Sequence, residues 1–368
     1  MVSKSLISYC AVIGTVAAAT ASQRSTILLR RSLAEVSYKN WPSYAELPLD
    51  PSYPTKAAWG VWGDNDTGGA LNHITKETIK GAAKEIKSGQ AFNLNLELSF
   101  IPSPINPSRK PLVHLFQPGD TYTDDVVTLN TQMSTQYDSL RHFAYNEGTD
   151  RSTWRWYNDH IKNYEEEVIG FNHTDVLGIQ QAAEKGIAAR GVLLDYKGWM
   201  DSKNETFNAI ATHPVSVSDL KQVAEWQGLS GNWSKPGDVL LIRFGWIEAF
   251  SKLNNTEKQA YVLESAGSAG LKPTDEAAEW LWDQKFSLVG ADNPAFELDP
   301  FNGTIQSTTR SFHEILISGW GTSIMEFVDT EELSKALRAA NRSTFFLTVQ
   351  TLNVRGGIAS PPNAQAII

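Results

Sequence analysis

The chain has almost no cysteine. Cys10 is the sole example in 368 residues, and it sits in an apolar N-terminal run. The remainder therefore offers no disulfide, no thiolate nucleophile and no cysteine-based zinc site. Positive charge is not in excess either: 32 Lys and Arg stand against 41 Asp and Glu, a net charge of −9. No basic run is long enough to track phosphates, which argues against a nucleic-acid partner. Several catalytic signatures are missing as well. There is no G-x-G-x-x-G after a first strand and no G-x-S-x-G elbow, and His313-Glu314 is followed by Ile-Leu-Ile rather than completing H-E-x-x-H. Nucleotide binding, an α/β-hydrolase nucleophile and a zincin helix are all without support.

What is present begins with a leader. Lys4 precedes an apolar run from Leu6 to Ala21 that ends in Ala19-Thr20-Ala21, a small-x-small cleavage pattern before Ser22. Residues 1–21 read as a secretory signal peptide, too short and too alanine-rich for a membrane span, so no membrane attachment is expected once it is removed. A mitochondrial presequence is the rival, because Arg24, Arg30 and Arg31 follow with no acid before Glu35. Seven Asn-x-Ser/Thr acceptors favour secretion: Asn65, Asn172, Asn204, Asn232, Asn254, Asn302 and Asn341. Chance would supply about two or three. Asn65, inside a motif described below, is expected to be too buried for modification; the other six are the expected glycosylation sites.

With 41% apolar and 20% charged residues, the composition is that of an ordinary globular protein with a sizeable core. Residues 22–58, with Pro42, Pro48, Pro51 and Pro54, read as an extended arm that packs on a neighbour. After it, helices alternate with strands. Thr75 caps a helix through about Ser88, and Phe92, Leu94, Leu96 and Leu98 alternate as a half-wet strand. Asp175 opens a helix stopped by Gly186, before the strand Gly191–Asp195; Ser216 and Asp219 open another, before the strand Asp238–Phe244. Thr274 caps a third, before Ser287–Gly290. Helices between near-continuous apolar strands argue an α/β fold with a largely buried sheet, in one domain from 59 to 368.

Most of the chemistry lies in Thr131-Gln-Met-Ser-Thr-Gln-Tyr-Asp-Ser-Leu-Arg-His-Phe143. Asp138 and His142 are four apart, with amides at Gln132 and Gln136; His313 and Glu326 follow much later. Carboxylate, imidazole and amide oxygen are all ligands for divalent ions. A D-x-x-x-H pair alone is a weak signal, equally consistent with a polar strand edge and a hydrogen-bonded core histidine. Glu326 follows Ile324-Met325 on an apolar strand, where a buried carboxylate needs a cation or an Arg. Asp292 ends a strand, where α/β folds place sites, although a turn role suits it as well. Asp124, Asp125 and His114 are weaker candidates, and Trp62, Tyr137 and Trp320 are candidate walls of an aromatic pocket.

The segment resembles the putative cyclase family, which includes kynurenine formamidases and isatin hydrolases. That family's H-x-G-T-H-x-D-x-P-x-H aligns with Q-M-S-T-Q-Y-D-S-L-R-H here. Thr135, Asp138 and His142 keep the motif's identities, whereas Gln132 and Gln136 stand where metal-binding histidines are expected. Trp62–Asn72 and Val289–Glu297 resemble further family landmarks, from about Trp59 to the C-terminus. The resemblance implies a swivelling β/β/α fold assembled as a homodimer or larger oligomer. It implies Asp138, His313 and Glu326 as metal ligands, with His142 as the acid/base. Thr135, Tyr137, Trp62 and Asp292 become substrate-binding candidates, and Gln132 and Gln136 either oxygen ligands or substrate hydrogen-bonders.

The expected activity is metal-dependent hydrolysis or cyclisation of a small amide, imide, lactone or ester, by attack on a polarised carbonyl. Replacing imidazole by amide oxygen shifts preference toward Mn²⁺ or Mg²⁺, while Zn²⁺ keeps the higher raw affinity. Two other readings stand beside this one: a metal-free cyclase using His142, and a small-molecule-binding protein that lost catalysis with its two histidines.

Overall fold

The computed structural model describes residues 38–368 except 147, 172, 265, 266 and 302. The segment expected to be a signal peptide, Cys10, the first part of the expected arm, Asn172 and Asn302 lie outside the described residues. From Ser37 onward the chain is one compact α/β unit, built around a sheet of nine strands. Its middle is parallel: β5 (Ile187–Asp195), β7 (Val239–Arg243), β9 (Leu288–Ala291) and β12 (Ile324–Glu326) lie side by side. Antiparallel strands extend it both ways. Beyond β5 come β13 (Thr344–Val349), β15 (Gln365–Ile367) and β1 (Ala91–Asn93); beyond β12 come β4 (Gln136–Asp138) and β14 (Ala359–Ser360). Three two-stranded pieces stand apart: β2 (Val113–Pro118) with β3 (Thr123–Thr128), β6 (His213–Val215) with β8 (Ala269–Leu271), and β10 (Thr304–Ile305) with β11 (Thr308–Thr309). Among the described residues, no helix is long and apolar enough to cross a membrane.

Period-two alternation sorts each central strand between two cores. On one face Leu240, Ile242, Val289 and Ile324 join the larger core. On the other, Val239, Leu241, Leu288, Met325 and Tyr137 join a second core with Phe345 and Leu347. The larger core is roofed by a π-helix, His313–Trp320, whose Ile315, Leu316 and Ile317 are wholly buried. Burying each such side chain contributes roughly 1.5–3 kcal/mol. Because Tyr137 and Met325 face the second core, Gln136, Asp138 and Glu326 point from the same strands toward the π-helix side.

Cap chemistry placed the helices well. Ser216 and Asp219 form a reciprocal capping box on the helix Val217–Trp226, and Thr274 caps Asp275–Gln284. Other expectations need correction. The first helix covers only Lys76–Ala82 plus one 3₁₀ turn, Ala83–Glu85, and Ile86 is exposed. Gly81, a poor helix former, lies where the helix gives way. The expected strand over Phe92–Leu98 shortens to β1, because Asn93 and Asn95 bond each other's side chains and backbone instead of extending the ladder. The helix expected from Asp175 begins at Gln180, after a turn containing Leu177 at φ 60°. The described part of the arm packs on its own chain rather than reaching outward: Tyr44, Leu47, Ala57 and Ala58 belong to the larger core.

Asp292 is a structural residue, not a substrate binder. It is fully buried, and both of its carboxylate oxygens accept backbone N–H groups, from Phe244 at 2.7 Å and Gly245 at 2.8 Å. It thereby fastens the turn after β7, where Gly245 takes φ 90°, to the end of β9. Burial, reinforced by the charge of Glu331, pushes its carboxyl up to about 7. Asp292→Asn is expected to cost about 1–3 kcal/mol, since both oxygens of the acid keep acceptor capacity even when it is protonated, whereas an amide NH₂ offers the second N–H none. A folded pKa raised above the unfolded value favours the wild type below about pH 4, and that advantage fades as pH rises through 7. Urea denaturation should therefore show a deficit that narrows from pH 5 to pH 8; a constant or widening deficit contradicts the assignment.

Candidate active site

The pairing of β12 with β4 sets Glu326 opposite Gln136. With Asp138 two residues along β4, this places both carboxylates on one face of the sheet. The π-helix begins on that face with His313. Its Nε2 lies 3.1 Å from Glu326 Oε1 and 3.9 Å from Asp138 Oδ2. His142, four residues past Asp138 and just beyond the strand, brings its Nε2 to 3.8 Å from the same Oδ2. Ligand atoms of Asp138, His142 and His313 all lie within 4.8 Å of one another. Four residues from separate stretches of the chain, Asp138 with His142, His313 and Glu326, thus converge.

Both glutamines serve the acids as donors. The Gln132 amide nitrogen lies 2.8 Å from Asp138 Oδ1 and 3.1 Å from His142 Nε2. The Gln136 amide donates to Glu326 Oε2. In this geometry both amides meet the carboxylates through nitrogen, and the Gln136 oxygen lies 3.5 Å from Arg109. The consequence for Asp138 is asymmetric: Oδ1 is satisfied, while the buried Oδ2 accepts no hydrogen bond from the described residues. A buried carboxylate oxygen without a donor is costly unless a cation answers it.

Two residues of the site were not singled out from the sequence. Glu297 closes the Val289–Glu297 landmark and reaches His313, with its Oε1 2.9 Å from Nδ1; its other oxygen accepts the N–H of Phe312. A carboxylate on one ring nitrogen fixes the tautomer and aims the other nitrogen at a ligand. An acid ending a family-like landmark was the available signal. Arg109 donates to the Gln132 carbonyl at 2.6 Å and lies 3.5 Å from Gln136 Oε1. Nothing in its local sequence marks it.

The charges follow from these neighbours. Burial raises Asp138 to about 6, and His313, Arg109 and Gln132 hold it from going further. Burial also raises Glu326, with His313 opposing and Asp138 adding to the rise. His313 goes the other way: burial works against its charge, yet Glu297 and Glu326 together lift it well above an ordinary histidine. Burial, then the charge of His313, lowers His142 to about 3, so it is neutral at physiological pH. His142 is also the more exposed imidazole, with 18% of its side chain open against 9% for His313. It forms the more open side of the cluster.

Other expected site residues lie elsewhere. Thr135 is buried as a tie between segments, accepting from Leu96 N and donating to Phe327 O. Tyr137 faces the second core. Trp62 packs edge-on against Trp41 and His73, in a pocket shared with Trp282 and Trp320 that none of the cluster's acids lines. Asp124, Asp125 and His114 sit on the exposed β2–β3 hairpin.

Comparisons with known proteins bear on the family and the fold. No curated protein matches the chain. The structure is similar to that of a novel cyclase, at 27% identity and a TM-score of 0.71, covering 85% of this chain and 99% of that one. It also resembles isatin hydrolase A from Ralstonia solanacearum in fold, at 15% identity and a TM-score of 0.50, over 80% of this chain and 97% of that one. The sequence model of a family described as Putative cyclase matches residues 51–298, ending just before His313 and Glu326, which the fold returns to the same site. The protein is an enzyme of the cyclase or hydrolase kind, and the chain belongs to the putative cyclase family.

Proposed function

We propose that the protein is a divalent-metal-dependent hydrolase or cyclase acting on a small amide, imide, lactone or ester. The observation that carries this is Asp138 Oδ2, buried, without a hydrogen-bond donor, and facing both His142 and His313. Asp138, Glu326 and His313 would hold the ion, with Glu297 orienting His313 from behind. A divalent ion polarises a carbonyl and lowers the pKa of water. A donor set of two carboxylates and one imidazole is rich in oxygen, which suits Mn²⁺ or Mg²⁺, while Zn²⁺ competes through raw affinity.

The chain's own residues do the rest. His142 is neutral and at the open side, so it can take a proton from an attacking water or internal hydroxyl. Its low pKa makes the protonated ring a strong acid, ready to pass that proton to the leaving nitrogen or oxygen. Gln132 holds Asp138 and His142 in register. Ring opening and ring closing share a transition state, so the same groups serve both directions.

A second reading has support of its own. Glu297 and Glu326 favour a protonated His313, and an imidazolium can stand where a metal ion would. Metal analysis and chelation of the purified protein separate the two readings. The metal reading predicts stoichiometric ion, activity toward a panel of small carbonyl compounds, and loss of that activity with chelator. His142→Ala should keep the ion and cut turnover roughly 10²–10⁴-fold, the range for a lost acid/base; His313→Ala should lose the ion. Absence of bound metal with chelator-insensitive activity favours the imidazolium reading.

We also propose that the protein enters the secretory pathway. Four of the expected acceptors, Asn204, Asn232, Asn254 and Asn341, have exposed side chains. Asn65 is exposed too, against the expectation of burial, so it joins them as a candidate. Treatment of the secreted protein with an N-glycosidase should lower its apparent mass, and N-terminal sequencing should read Ser22 or a later residue. Unchanged mass with Met1 intact contradicts secretion.

A further inference from the structure

Of the twelve tryptophans, only Trp226 is exposed, at 39%. It ends the helix Val217–Trp226, and among the described residues its indole pairs with no other ring and makes no hydrogen bond. It borders a cavity of about 190 Å³ that is also lined from the helix Glu331–Ala339. That is room for a small ring, since one water takes only about 30 Å³. The buried part of the wall is already satisfied. Asp195 accepts from Gly198 N at 2.8 Å, Arg243 at 3.0 Å and Arg338 at 2.6 Å. Gln227 accepts from Asp195 N and donates to Leu193 O and Ser343 Oγ, each at 2.9 Å. Polar groups paired in this way call for no ion. The open groups stand on the rim: the Trp226 indole, the half-exposed Arg338 guanidinium and Asn341. Asn341 lies just past the second helix at φ 50°. Its side chain is exposed and makes no hydrogen bond among the described residues, and it heads the triplet Asn341-Arg-Ser343.

We propose that this cavity seats the first sugar of an N-linked glycan on Asn341, stacked on Trp226. The proposal rests on the secretory reading above. In the modification, Asn341 Nδ2 loses a proton and bonds to C1 of the sugar, displacing the pyrophosphate of the activated lipid-linked donor that the secretory pathway supplies. The linking sugar, an N-acetylglucosamine, has a C–H face that packs on a flat apolar ring and hydroxyl and acetamide groups that accept hydrogen bonds. Trp226 supplies the ring and Arg338 the donors. A sugar joined to Asn341 is held at millimolar effective concentration or above, so a weak contact suffices. Ser343 fixes the timing. Its hydroxyl is buried and accepts from Gln227, so the triplet is open to modification only before this segment folds. The sugar is then in place when the two helix ends come together. Asn232 borders a cavity too, but its neighbour Trp233 already packs against Trp280 and Phe286, which leaves no open ring to cover. The seated sugar covers the exposed indole and ties one helix end to the other.

Peptide mass spectrometry of the secreted full chain reads the occupancy of each acceptor, and hydroxyl-radical footprinting then reads how fast Trp226 is oxidised. Three forms are compared. They are the intact glycoprotein, the same protein trimmed by an endoglycosidase to one sugar per site, and Asn341→Asp, which removes the acceptor but suits the left-handed backbone. The intact and single-sugar forms should oxidise Trp226 equally slowly, and Asn341→Asp several-fold faster. Asn232→Gln should leave the rate unchanged. Should Asn341→Asp fail to fold, wild type stripped by an N-glycosidase carries the same aspartate and takes its place. A single-sugar form as reactive as Asn341→Asp shows a glycan that only sweeps past the ring, and overturns the proposal. Equal reactivity in all forms, or an empty Asn341 beside occupied acceptors, overturns it as well. Sugar on none of the acceptors contradicts secretion itself, and the proposal with it.

Discussion

Three buried carboxylates, Asp138, Glu297 and Glu326, crowd one end of the sheet, and that concentration of negative charge governs everything around it. Charge of one sign removed from water must be answered by a cation, by protons or by directed hydrogen bonds. The site uses all three. Gln132 and Gln136 donate to Asp138 and Glu326, Arg109 adds positive charge from the hairpin stem, and His313 is drawn into its charged form between Glu297 and Glu326. Asp138 Oδ2 and Glu326 Oε1, the latter 3.1 Å from His313 Nε2, are what these hydrogen bonds leave uncovered.

The rest of the fold presents that constellation. Alternation along β4 and β12 delivers Gln136, Asp138 and Glu326 to one face, and the π-helix brings His313 over them. π-Turns within helices recur at functional sites, and here one starts with the residue that meets both acids. Where the resemblance implies histidines, Gln132 and Gln136 supply two donors that hold the carboxylates. Such an arrangement suits a single cation, whether a metal ion or the His313 proton.

How much of this could be read from the sequence varies with the physics involved. The helices begun by Ser216 and Thr274 were legible because cap chemistry is local. The strand expected through Leu98 was not, since Asn93 and Asn95 divert its backbone, and their effect depends on conformation rather than on apolar period. Asp138, His142, His313 and Glu326 were found as a set only because the family motif supplied their order. Spacing alone would have left His313 and Glu326 unconnected to Asp138. Asp292 and Tyr137 were misplaced for a common reason: strand-end position and residue type do not reveal which face a side chain takes. Arg109 reaches the site through a tertiary contact that no local pattern announces, and Glu297 was marked only by closing a family-like landmark, which does not show that it reaches His313.

Under the function proposed above, a divalent ion would compete with the His313 proton for one seat between Asp138 and Glu326. Calorimetric titration of chelator-treated protein with Mn²⁺ at pH 7, in two buffers of different ionisation enthalpy, measures that competition directly. Ligands must be deprotonated to bind an ion, so binding releases whatever protons the site holds. With Asp138 at about 6 and His313 well above its usual value, the account predicts release of about one proton per ion bound, abolished in His313→Ala together with binding. Tight binding with no proton exchange, or proton release that persists in His313→Ala, would contradict it.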